Sequence, residues 1–172
     1  MRFLLIDKIE ELVPGERLVA TKNLSLAEEY LLEHFPLTPV MPGVLMMEAM
    51  TQAAAWLIRA SEGFRHSLVL LKEANNVKYG KFVEPGDSLR IEVQILQQQG
   101  SLTTVKAAAY VQGRVAVSGH LTLTRANLAD RDPDLAEVDQ RILNQLREWF
   151  RILFPTGGHS SNLVACEKAK TT

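Results

Sequence analysis

Pro42-Gly43-Val44-Leu45-Met46-Met47-Glu48-Ala49-Met50-Thr51-Gln52-Ala53-Ala54-Ala55-Trp56-Leu57-Ile58 is the stretch on which the fold turns. Pro42 and Gly43 open a helix, predicted over about 43–60, that is apolar almost all round. Such a helix is normally enclosed by other elements. It is shorter than the ~20 residues of a membrane span and carries Glu48, Thr51 and Gln52, so it reads as a buried helix of a globular domain. The small residues Ala53, Ala54 and Ala55 let a sheet approach it closely.

Working outward, the segments on both sides supply that sheet. Phe3–Val13 and Arg17–Asn23 are extended runs joined by Pro14-Gly15-Glu16, a turn with a fixed φ and a permissive residue. Ser25-Leu26-Ala27-Glu28 has capping-box spacing and predicts a short helix over about 26–33. Pro36, Pro39 and Pro42 then make a stiff, non-helical loop. Four alternating runs follow at about 67–79, 88–98, 101–112 and 114–125, punctuated by Glu84-Pro85-Gly86-Asp87, Gln99-Gly100 and Gln112-Gly113. Two strands, an enclosed helix and four strands form an α+β pattern, a curved antiparallel sheet wrapped around a central helix.

Beyond Arg125 the pattern changes. Asp132-Pro133 reads as a cap and a first-turn proline, and Leu135, Val138, Ile142, Leu146, Trp149 and Leu153 recur at helical spacing up to Pro155. We expect an extra C-terminal helix over about 133–154 that covers an open face of its own sheet, with a partner-binding helix as the alternative. The expected organisation is a core domain at 1–127, a helical extension at 128–155 and a flexible tail at 156–172.

Composition narrows the functional classes. The 172 residues are 47% hydrophobic and 23% charged with a net charge of −1, which suits one globular domain and gives no overall attraction to nucleic acid or anionic lipid. The lone Cys166 cannot close an internal disulfide, and the first apolar run meets Asp7 and Lys8 too soon for a signal peptide, so a cytoplasmic setting is expected. There is no GxGxxG, P-loop, GxSxG or HExxH pattern and no Cys/His cluster with zinc spacing.

Glu48 is the most informative position. A carboxylate on an otherwise apolar helix must be protonated, strongly hydrogen-bonded or facing a wet cavity. It could merely stabilise the positive helix start, with Gln52 extending a polar stripe; a general acid is the functional reading. His34, fourteen positions upstream at the mouth of the proline loop, is a weak signal alone and a candidate base beside Glu48. His66, His120 and His159 read as structural or exposed. Gly43 offers an unpaired backbone N–H at a helix start and no Cβ to keep a carbonyl away, though initiating the helix would explain it too. Met41, Met46, Met47 and Met50 could line an acyl channel, but methionines at helical spacing are more often core filler, and they stay unassigned.

His34-Phe35-Pro36-x-x-Pro39-Val40-Met41-Pro42-Gly43-Val44-Leu45-x-x-Glu48-Ala49-Met50-x-Gln52 resembles the active-site segment of the FabZ-type 3-hydroxyacyl-[acyl-carrier-protein] dehydratases of fatty acid synthesis. Ile6-Asp7-Lys8-Ile9, Val13-Pro14-Gly15-Glu16 and Lys78–Leu89 are similar as well, so the resemblance spans about 3–125. Glu48 stands where the related FabA-type isomerising enzymes carry Asp. The family pattern reads Gly-His-Phe-Pro-Gly, whereas here Glu33 precedes His34 and Leu37 takes the place of the second glycine.

The resemblance implies a hot-dog fold, a homodimer or a trimer of dimers, and a site whose histidine and carboxylate come from different subunits. It implies a hydro-lyase converting 3-hydroxyacyl thioesters to trans-2-enoyl thioesters, with no cofactor and no metal, and acyl carrier protein bearing a phosphopantetheine-linked chain as partner. His34 and Glu48 are then the catalytic pair, and Gly43, Val40 and Gln52 bind substrate. The alternatives are a non-catalytic acyl-binding or protein-interaction module and a hot-dog thioesterase.

Overall fold

The computed structural model describes residues 4–33 and 37–155. The strands are β1 (Lys8–Val13), β2 (Arg17–Asn23), β3 (Leu68–Tyr79), β4 (Ser88–Gln99), β5 (Leu102–Val111) and β6 (Arg114–Ala126). The helices are α1 (Tyr30–Glu33), α2 (Gly43–Ser61) and α3 (Ala136–Leu153). All neighbouring strands run antiparallel in one sheet of order β1-β2-β4-β5-β6-β3, which leaves β1 and β3 at its edges.

The sheet wraps α2 as the sequence predicts. Alternate residues of β4 and β5 (Leu89, Ile91 and Val93; Val105, Ala107, Ala109 and Val111) are buried against Met46, Ala49, Met50, Ala53 and Leu57 of the helix. Ala49, Ala53 and Ala54 are wholly enclosed, which is the close approach their size permits. Arg125 ties the end of α2 to the sheet by bonding Glu62 and the Gly100 carbonyl and by donating to the Ser101 carbonyl at 3.2 Å. No helix among the described residues is long and apolar enough to cross a membrane.

Three local expectations change. The first strand begins at Lys8 rather than Phe3, because the Leu5 N–H bonds the Gln52 side chain instead of a neighbouring strand. The short helix shrinks to Tyr30–Glu33: Ser25 Oγ accepts from Ala27 N, while Glu28 turns to Lys22 Nζ at 2.6 Å and does not close the capping box. The C-terminal helix starts with a 3₁₀ turn at Pro133–Leu135, capped by Asp132 Oδ1 on Asp134 N at 3.1 Å, before α3 proper. The tail at 156–172 lies outside the described residues.

α3 packs on α2 and the loop after it. Phe150 meets Trp56 at 6.1 Å between ring centroids and Phe64 edge-on at 5.3 Å. At its other end, buried Asp139 accepts hydrogen bonds from Ser67 Oγ, Leu128 N and Ala129 N. Desolvation pushes its pKa up, but these three donors outweigh it and hold the carboxyl below the ordinary aspartate value.

Candidate active site

Glu48 and Gln52 sit one turn apart on α2, so their side chains meet. Gln52 Nε2 donates to Glu48 Oε1 at 3.0 Å, and Gln52 Oε1 accepts from Leu5 N at 2.9 Å. The amide thus clamps the carboxylate to the segment preceding β1. Glu48 is half-buried and lines a cavity of about 240 Å³ with Gln52, Arg59, Leu146 and Trp149. The sequence requirement of a hydrogen bond or a wet cavity is met by both.

Val40 and Gly43 lie together in a second cavity of about 200 Å³, with Met46, Tyr79 and Phe82. Met41 N donates to the Val83 carbonyl at 2.9 Å, which pins the end of the proline loop to the segment between β3 and β4. Gly43 is the first residue of α2, and a Cβ there would stand 2.9 Å from Tyr79 Cε1. Close ring packing is therefore a second reason for glycine, beyond helix initiation.

The expected site residues are thus divided. Gly43 and Glu48 are five positions apart, about 140° around the helix, and each opens into its own cavity. His34, the proposed base, lies outside the described residues. Sequence reasoning missed Tyr79, Arg59 and Trp149. Arg59 was accessible in principle, since it falls on the Glu48 stripe at helical spacing; Tyr79 and Trp149 reach the cavities only through tertiary packing. Among the described residues no group of three or more His, Cys, Asp or Glu side chains could hold a metal ion.

Residues 1–120 match the family model of the FabA-like domain. The chain is 41% identical over 128 residues to the 3-hydroxyacyl-[acyl-carrier-protein] dehydratase FabZ of Levilactobacillus brevis, covering 74% of this chain and 86% of that one. The chain belongs to the FabA-like family. The FabZ enzyme of Myxococcus xanthus is 38% identical over 137 residues, 78% of this chain and 88% of its own.

Solved structures agree on the fold. The dehydratase heterocomplex ApeI:P from Xenorhabdus doucetiae superposes with a TM-score of 0.63 at 18% identity, over 77% of this chain and 90% of that one. A hypothetical thioesterase with coenzyme A from Streptococcus pneumoniae gives 0.54 at 15% identity, over 70% and 85%. The architecture is the hot-dog fold, a sheet rolled around α2. The family model ends at residue 120, so α3 stands outside the matched domain.

Proposed function

We propose that this protein is a hydro-lyase that removes water from 3-hydroxyacyl thioesters carried on acyl carrier protein. The product is the trans-2-enoyl thioester, formed in the cytoplasm during fatty acid or related acyl-chain biosynthesis. The observation that carries this reading is the clamped Glu48. Gln52 holds Oε1, and the side chain lines the cavity. Neutral His34 takes the C2 proton, the Gly43 N–H receives the thioester oxygen as enolate character develops, and Glu48 protonates the departing C3 hydroxyl. One proton leaves C2, one hydroxyl leaves C3, and water is released. Val40 and Tyr79 line the approach to Gly43.

The working site takes one part from each of two copies. Within one protomer Gly43 and Glu48 face different cavities, so a substrate held by Gly43 needs the carboxyl of a second chain. β3 is a sheet edge, and Val44, Tyr79 and Phe82 near it are 64%, 52% and 70% exposed. A twofold pairing at this edge would cover them and give two equivalent composite sites. Such dimers suffice for the chemistry, alone or gathered as a trimer of dimers.

The test is mass spectrometry of a 3-hydroxyacyl-carrier thioester incubated with the protein. Enoyl product supports the dehydratase; free acid identifies a thioesterase; unchanged substrate leaves a binding module. His34→Ala and Glu48→Gln should each remove about 10²–10⁴-fold of the activity while the protein stays folded. Mixing the two inactive variants with free subunit exchange makes about half the dimers mixed, each with one intact site of two, so about a quarter of wild-type activity returns. No recovery after proven exchange would put the pair within one chain.

A further inference from the structure

Arg59 stands on the same stripe of α2 as Glu48, eleven residues on, a rise of about 16 Å and nearly in line around the axis. Helical side chains lean toward the N-terminus, so its guanidinium reaches back along the cavity that Glu48 also lines. α3 walls this space with Leu146 and Trp149, residues beyond the matched family domain. The cavity is therefore acidic at one end, basic at the other, and walled on one side by an element added to the family core.

Among the described residues no carboxylate pairs with the charge at the basic end. Arg59 Nε is buried and has no hydrogen-bond partner among the described residues. Burial alone pushes its pKa down, to about 10, with no carboxylate acting in the opposite direction. Its guanidinium carbon lies 5.5 Å from the Trp56 ring centroid, which fixes its plane but supplies no acceptor. Its place in the last turn of α2 suits a cation. The carbonyls there are already engaged, Ile58 by Glu62 N, Arg59 by Phe64 N and Leu57 by Ser61 Oγ. A guanidinium whose Nε is buried with no acceptor among the described residues is suited to an anion, and its planar fork matches a carboxylate.

We propose that the cavity between α2 and α3 receives the far end of the acyl chain and that Arg59 selects chains ending in a carboxylate. This rests on the dehydratase reading, and it narrows the substrate class to 3-hydroxyacyl thioesters with an acid group at the distal end. Glu48 meets the C3 hydroxyl at the near end, the methylenes run past Gln52 and Trp149, and Arg59 pairs with the terminal anion.

Binding decides it without requiring turnover. Full-length protein is titrated calorimetrically with unreactive acyl-pantetheine amides of several lengths, each made with a methyl or a carboxylate end. The expected result is at least about tenfold tighter binding of the carboxylate form at the length that spans the cavity. Arg59→Met should abolish that preference, and Arg59→Lys should keep part of it. Equal or weaker binding of the carboxylate form at every length in the wild type overturns the proposal, as does a preference that survives Arg59→Met. If Arg59→Met fails to fold, the wild-type length series and Arg59→Lys decide, and an undiminished preference in the lysine variant overturns the fork-specific pairing. Dissociation of the oligomer by Arg59→Met, with no wild-type preference, would overturn it in favour of a partner-subunit carboxylate. Wild-type turnover of 3-hydroxyacyl-carrier thioesters of several lengths, with methyl and with carboxylate ends, judges the dehydratase reading separately: absence of product from all of them defeats that reading while the titration still judges the site.

Discussion

Replacing Gln52 by methionine keeps the side chain's length and removes both the donation to Glu48 and the acceptance from Leu5 N. Leu5 is 1% exposed, so its N–H would be stranded in the interior at a cost of about 1–3 kcal/mol. In a chain of this size that lowers Tm by about 2–12 °C. The catalytic effect is separate. Glu48 loses the group that fixes one of its oxygens, and a catalytic group displaced by about 1 Å can lose on the order of 10²-fold in rate. The expected outcome is a fall in kcat of about 10–10²-fold with a smaller change in KM, measured well below the lowered Tm. Gln52→Asn, too short to bridge Leu5 and Glu48, should behave alike. A folded Gln52→Met protein with kcat within about twofold of wild type would refute the positioning argument, because a free Glu48 would then work as well as a clamped one.

Gly43→Ala should leave Tm unchanged or slightly raised, since alanine favours the helix, while activity falls by about 10²-fold as the Tyr79 ring 2.9 Å from the new Cβ is driven into the cavity; undiminished turnover would remove Gly43 from the site. In Gly80→Ala the new Cβ meets the Val115 backbone carbonyl oxygen at 2.6 Å, so chemical denaturation should show about 1–3 kcal/mol of lost stability. Asp139 has a folded-state pKa below its unfolded value, so its stabilisation is complete above the ordinary aspartate pKa of about 3.9 and is lost as pH falls through the depressed value. Thermal unfolding followed from pH 6 to pH 2 should therefore decline less steeply for Asp139→Asn than for wild type, and parallel curves would sink this account.

How much was legible follows from which forces act locally. The apolar run of α2 and the alternation in β4 and β5 record burial directly, so the sheet-around-helix architecture could be read from the chain. Turn glycines carry their own signal: Gly15, Gly86, Gly100 and Gly113 all adopt positive φ. Where the expectation slipped, a distant partner had taken a local group. Lys22 drew Glu28 from the capping box, and Gln52 drew the Leu5 N–H from a strand. The spacing of α3 marked its apolar face but not its target. Phe150 settles on Trp56 and Phe64 while the helix also touches β1, so it covers α2 together with the sheet's edge.

The candidate site shows the same boundary within a single helix. Four residues separate Glu48 from Gln52 and bring them into contact, and eleven place Arg59 on their stripe; both relations follow from 3.6 residues per turn. The five-residue offset from Gly43 to Glu48 follows equally, and it turns them to different cavities. A rigid helix cannot bend one face onto the other, so no rearrangement of side chains within a protomer unites the N–H at the helix start with the carboxyl one turn on. The twofold pairing proposed above would, by setting the Gly43 face of one α2 against the Glu48 face of another and repeating the arrangement at the second site. Under the proposed function dimerisation is part of catalysis. It also leaves the Arg59 end of each cavity to be closed by the protomer's own α3, so the chemistry is shared between copies while discrimination at the chain's far end belongs to one.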